Sequence, residues 1–212
     1  MNRTDMNEKK SRPTVIMAAL VLIAASLGLM VAVIQSNKPL RPTVGPQVYL
    51  SLFQLHQKQD FQKLHTELSA LQPYGAVLER KFGVNPMPQT LAAADRRDQA
   101  GILLGLEQLV ILDIQDRLAT AEERFYASPE QAMDALHTAR LNYQVLSLFA
   151  PQADTDLHEA VKTALLTTMI SVKNESATPA LLKTYTNEIQ SKLRQMYPGV
   201  RLVMAVSSFQ YN

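Results

Sequence analysis

The chain has 212 residues, a formal net charge of +2 and no cysteine. The near-neutral charge, with no cluster of Lys and Arg, argues against a nucleic-acid-binding protein. The absence of cysteine excludes disulfides, thiolate metal sites and covalent c-type haem attachment. Tryptophan is absent as well, so any aromatic anchoring must come from Tyr and Phe.

The most distinctive stretch is an uncharged apolar run over residues 14–34. A helix that rises about 1.5 Å per residue needs about 20 apolar residues to cross a hydrocarbon core of about 30 Å. Because a chain in lipid must satisfy its own backbone hydrogen bonds, the run predicts one transmembrane helix at 14–35. A cleaved signal peptide is the alternative. Its apolar region spans only about 7 to 15 residues, so an uncleaved signal-anchor is favoured.

Flanking charges predict the orientation of this helix. The preceding tail, residues 1–13, has four basic residues, which are Arg3, Lys9, Lys10 and Arg12. The segment that follows the run has two, Lys38 and Arg41. Since cytoplasmic flanks keep the excess of Lys and Arg, the tail is predicted to be cytoplasmic. The remainder is then extracytoplasmic, which means periplasmic in a bacterium with an outer membrane. Residues 36–46, rich in proline, are predicted to be a stiff linker.

Residues 47–212 show the periodicity of helices, and they predict an all-α antiparallel bundle of four to five helices. A first helix is predicted over 47–71, with a break at Pro73 and Gly75. The longest helix is predicted over 89–127, and because its middle is apolar on nearly every side, it is expected to be central. Further helix starts are marked at Ser128-Pro129, Asp154 and Thr178-Pro179. Residues 200–212 predict a short strand or extended segment that packs on the bundle.

One carboxylate is a candidate ligand. Glu107 shares the helical stripe of Leu103, Val110 and Ile114, and an acid within an apolar stripe is costly unless it is paired or coordinated. A metal ligand or proton-binding group is the functional interpretation, and an ion pair with Arg140 is the structural one. Asp113 is expected to pair with Arg117 at i+4. Asp116, Glu122 and Glu123 are expected to form a solvated face.

Signatures of catalysis are missing. The histidines are scattered, with His56 and His65 predicted on opposite faces of one helix and with His137 and His158 on two others. There is no HExxH motif, no Gly-rich phosphate loop and no GxSxG motif. The sequence therefore predicts a protein that is not an enzyme and has no cofactor, apart from a possible metal ion at Glu107.

Three segments carry a resemblance to a known family: GILLGLEQLVILDIQDRLATAEE, SPEQAMDALHTARLNYQVLSLFAP and PALLKTYTNEIQSKLRQMYPG. Together, over residues 89–199, they resemble the periplasmic helical region that precedes the permease in some bacterial high-affinity iron transporters. The resemblance implies an accessory role in metal uptake. It carries over no binding residue, and the permease's iron motif is absent here.

Two functions fit these features. The first is an accessory or scaffold subunit of a membrane complex, anchored by a single span in the cytoplasmic membrane, with the membrane and other membrane proteins as partners and without nucleic acid. The second is a bundle that senses or binds a ligand, with a metal ion as the first candidate.

Overall fold

The structure, a computed structural model, describes residues 44–149 and 154–198. These residues form eight α-helices and no strand, so the prediction of an all-α fold is confirmed, with more helices than the expected four to five. The helices are α1 (Pro46–Gln57), α2 (Phe61–Ala70), α3 (Gln72–Phe82), α4 (Met87–Asp95), α5 (Gln99–Arg124), α6 (Pro129–Phe149), α7 (Thr155–Lys173) and α8 (Pro179–Met196).

The first predicted helix, over 47–71, is in fact two helices. The chain turns between α1 and α2, where Gln59 adopts a left-handed φ of 56°. Asp60 then caps α2, its carboxylate accepting a hydrogen bond of 3.2 Å from the backbone N–H of Lys63. A break is present close to the predicted position, but it lies at Leu71. Pro73 and Gly75 both lie within α3, and Pro73 is in its first turn, where its missing N–H costs no helical hydrogen bond.

The helix predicted over 89–127 is divided as well. Arg97 has a positive φ of 55°, and the Asp98 carboxylate accepts a 3.0 Å hydrogen bond from the N–H of Gly101 at the start of α5. A polar cap of this kind depends on only a few neighbouring residues, so it is not recognised within a long apolar pattern. The predicted starts at Pro129 and Pro179 are confirmed, and Asp154 and Thr178 cap α7 and α8.

The last four helices form an antiparallel bundle. Each of α5, α6 and α7 packs on the next helix in the chain, and α8 returns to pack on α5. As predicted, α5 is central: every side chain from Leu109 to Leu118 is buried. The shorter helices α1, α3 and α4 pack against α5, and α1 also reaches α6, where Phe53 stacks on Phe149 at a centroid distance of 5.0 Å.

The predicted transmembrane helix at 14–35 and the segment 200–212 lie outside the described residues. Within the described ranges, no helix has the length and apolar character to cross a membrane. Of the predicted linker, only the last residues are described: Val44 is buried, and α1 begins at Pro46.

Candidate functional site

Glu107, the predicted ligand, is half-buried on α5. Burial raises the pKa of its carboxyl group above the ordinary value. The expected ion pair with Arg140 does not occur: among the described residues, no salt bridge joins the two side chains. Glu107 instead acts on Tyr197, just after α8. Burial, together with the charge of Glu107, raises the pKa of Tyr197 to about 12.

The carboxylate that is completely buried is Asp113, fewer than two turns further along α5. Three side chains donate hydrogen bonds to it: Tyr49 from α1 at 3.1 Å, Tyr74 from α3 at 2.5 Å and Asn142 from α6 at 2.8 Å. The predicted pair with Arg117 is confirmed, with Nε lying 3.5 Å from an Asp113 oxygen. Asp113 therefore joins three helices to α5. We call these five residues the Asp113 network.

Burial and pairing act in opposite directions on the Asp113 network. Burial raises the pKa of Asp113, and Arg117 and the three hydrogen bonds lower it. Burial and the neighbouring carboxylate raise the pKa of Tyr49 and of Tyr74, which keeps both phenols protonated as donors. The network thus has the donors and the cation that a buried carboxylate requires.

A second buried acid lies beside this network. Asp116 was predicted to be on a solvated face, but it is buried and forms an ion pair with Lys81 of α3. The prediction was wrong because α3 covers the side of α5 that an isolated amphipathic helix would expose. Glu123 is exposed as predicted, whereas Glu122 is half-buried and accepts a hydrogen bond from Thr186 of α8.

A separate polar cluster lies at the end of the bundle where α6 ends and α7 begins. The Tyr143 hydroxyl and His158 Nδ1 are hydrogen-bonded at 2.7 Å, and the sulfur of Met196 lies 3.7 Å from the same hydroxyl. Burial and the charge of Lys162 lower the pKa of His158. The hydroxyl of Tyr197 is buried, and in the described structure it has no hydrogen-bond partner. We call Glu107, Tyr143, His158 and Tyr197 the end cluster.

The histidines do not converge. His56 and His65, predicted on one helix, lie on α1 and α2, where His56 contacts the backbone oxygen of Gln99 and His65 pairs with Asp95. Across residues 44–149 and 154–198, no three His, Cys, Asp or Glu side chains are grouped in a way that could hold a metal ion. Glu107 as a metal ligand stays a prediction.

An open groove of about 450 Å³ runs between α4 and α5. It is shallow because small residues face each other there, including Ala93, Gly101 and Gly105. Gly105 is required at its position, since an added Cβ would overlap the side chain of Thr90. The groove therefore follows from the close approach of two helices.

The outward face of α7 is unusual for an exposed helix because it has a long stretch without charge. Residues 163–172 contain no charged side chain, although Thr163, Leu166, Thr167 and Ile170 are all exposed. Leu166 is 45% exposed and Ile170 is 57% exposed. We call these four residues the α7 face. They are the best candidate for a contact surface in the described part of the chain, because large side chains exposed together on one helix favour a partner.

Sequence reasoning found Glu107, Asp113 and Arg117, but it missed most partners of the buried acids and also the α7 face. Tyr49 lies in a largely apolar stretch, and nothing in the sequence indicates that its hydroxyl reaches Asp113. The α7 face did leave a signal, namely a long uncharged stretch in a helix with polar flanks. No family model, no curated protein and no solved structure matches this chain.

Proposed function

We propose that this protein is a non-enzymatic accessory or scaffold subunit of a membrane complex, held at the membrane by the predicted helix at 14–35. The bundle would lie on the extracytoplasmic side and contact a neighbouring membrane protein. The resemblance to the iron-transporter region makes a metal-uptake complex one candidate for the complex that the bundle contacts.

The observation that carries the proposal is the α7 face. Its four side chains recur at helical spacing on the side opposite the buried residues Val161, Leu165 and Thr168. A solvent-exposed helix face normally bears charged residues, whereas a surface that contacts another protein is depleted of them. Lys162 and Lys173 flank the face at its two ends, so charge returns where the uncharged stretch stops.

The internal polar groups support a structural role for the bundle. The acids Asp113 and Asp116 are enclosed and paired, so they stabilise contacts between helices. A scaffold that presents one helix to a partner requires such rigid support. The complementary surface would be an uncharged helix of the partner. The leucine, isoleucine and threonine side chains of the α7 face can pack on uncharged side chains without the desolvation of a charge.

Co-purification tests the proposal. The tagged full chain is extracted from native membranes in mild detergent, and its partners are identified. Wild type is expected to retain membrane proteins, and the double variant Leu166→Lys with Ile170→Lys is expected to lose them. Leu148→Lys is the matched control, because Leu148 is 71% exposed but lies on α6. A wild-type chain that purifies alone, or a double variant that keeps every partner, would refute the proposal.

A further inference from the structure

The last helix, α8, ends beside the first half of α5. Thr186 of α8 donates a hydrogen bond to Glu122, near the end of α5. Tyr197, the residue after α8, lies within the influence of the charge of Glu107, in the first half of α5. The two helices are therefore antiparallel. A chain that continues in the direction of α8 runs along α5 toward the start of that helix.

The groove between α4 and α5 lies directly in this direction. Leu104 and Gln108 both line it. Leu104 precedes Glu107 by three residues, so the two side chains are neighbours on α5, about 5–6 Å apart at their Cβ atoms. Leu104 is 46% exposed although it lines a concave surface. A large apolar side chain left open in a groove of this size favours an occupant.

The residues after α8 match this groove in charge and length. Residues 202–206 read LVMAV and carry no charge. In an extended segment alternate side chains share one face, and here these are Leu202, Met204 and Val206. The three span about 13 Å, and the groove runs about 10 Å along α5 from Gly101 to Gln108, at about 1.5 Å per residue.

The polar ends of the groove and of the segment also correspond. The charged residues that line the groove, Arg96 and Asp98, lie where α4 ends and α5 begins. A segment that enters beside Glu107 reaches this end last, and its next residues are Ser207 and Ser208. The apolar part of the segment would thus meet only the uncharged part of the groove.

We propose that residues 202–206 of this chain lie in the α4–α5 groove and cover Leu104. The chain from Tyr197 to Leu202 spans up to about 16 Å when extended, enough to pass from one side of α5 to the next. A segment tethered this closely has an effective concentration on the order of millimolar at the groove, which favours it over a separate partner. The inference does not depend on the membrane anchor, and it leaves the α7 face uncovered.

Crosslinking of introduced cysteines tests the contact, because the chain has none of its own. The full chain with Leu104→Cys and Met204→Cys is treated in mild detergent with a short bismaleimide, and crosslinked peptides are identified by mass spectrometry. The control pairs Met204→Cys with Leu166→Cys, since Leu166 on α7 is 45% exposed and Leu104 is 46% exposed. We expect at least fivefold more crosslinking within one chain for the Leu104 pair than for the control.

The alternation of the segment gives a second test that leaves the bundle intact. Leu202→Asp with Val206→Asp places two charges on the face directed into the groove and should reduce crosslinking of the Leu104 pair at least fivefold. Val203→Asp with Ala205→Asp places them on the other face and should change it by less than twofold.

Three results would overturn the proposal. Equal crosslinking of the Leu104 pair and the Leu166 pair would mean that the segment has no preferred position. Crosslinks formed only between two chains would assign the groove to the segment of a second copy. Equal effects of the two aspartate pairs would show that no particular face of the segment enters the groove. None of the aspartate substitutions alters the α7 face, so retention of membrane partners is a separate result.

Discussion

Two acids on one helix have very different surroundings. Asp113 is completely buried and is bound by two phenols, an amide and a guanidinium. Glu107, fewer than two turns away, is half-buried, and its neighbour Tyr197 has a buried hydroxyl without a partner in the described structure. The comparison shows that a position in an apolar stripe does not tell which acid is completely buried in the fold. What matters is which helices cover the position.

The Asp113 network should dominate stability. Asp113→Ala leaves the Arg117 charge buried without its partner and removes the acceptor of three donors. We expect the free energy of unfolding to fall by about 3–5 kcal/mol, the usual cost of removing one member of a buried pair. Chemical denaturation of the full chain in detergent, followed by helical circular dichroism, measures the loss.

The control for this prediction is Asp134→Ala. Asp134 is exposed on α6, and its loss should change stability by less than about 0.5 kcal/mol. Equal effects of the two substitutions would show that the buried network contributes nothing particular to the fold.

Two tyrosines give a matched comparison of the regions. Tyr74→Phe removes a hydrogen bond to a buried carboxylate and should cost about 1.5–3 kcal/mol. Tyr197→Phe removes a buried hydroxyl that has no partner, so stability should change by less than about 0.5 kcal/mol or even rise. Unfolding of both variants under the same conditions provides the test, and a larger loss for Tyr197→Phe would reverse the comparison.

The smallest expected effect is a pH dependence at Glu107. Burial raises the pKa of this group, so the folded chain holds its proton at pH values where the unfolded chain has lost it. The free energy of unfolding must therefore fall as pH rises from the ordinary glutamate pKa through the raised one. The glutamine of Glu107→Gln does not titrate. The thermal midpoint of this variant should therefore rise relative to that of wild type as pH increases from about 4 to about 7.

Glu123→Gln, on the exposed side of the same helix, controls for the loss of one charge. If the difference between Glu107→Gln and wild type stays constant over this pH range, the half-buried environment of Glu107 has no effect on stability.

The all-α class and the central position of α5 could be predicted because they depend on periodicity along the chain. The helix starts at Pro129 and Pro179 could be predicted because caps are local. The division at Arg97 could not, since a capping aspartate inside a helical pattern resembles an ordinary surface residue. The burial of Asp116 depends on α3 packing over it, and this long-range contact leaves no trace in spacing.

The α7 face could also be predicted only in part. Its uncharged stretch is visible in the sequence, where Leu165, Met169 and Val172 recur at helical spacing. Only the fold reveals that Leu166 and Ile170 are on the outside. The buried acids Asp113 and Asp116 are paired inside the bundle, whereas the α7 face is uncharged and exposed.

Site-specific photo-crosslinking of the full chain in native membranes tests most directly whether the α7 face is a contact surface. A photoreactive residue replaces Ile170 on the α7 face, or Leu148 on α6 as the control, and both positions are more than half exposed. We expect a discrete adduct with a membrane protein from position 170 and none from position 148. No adduct from either position, or the same adducts from both, would contradict the proposal that the α7 face contacts a partner.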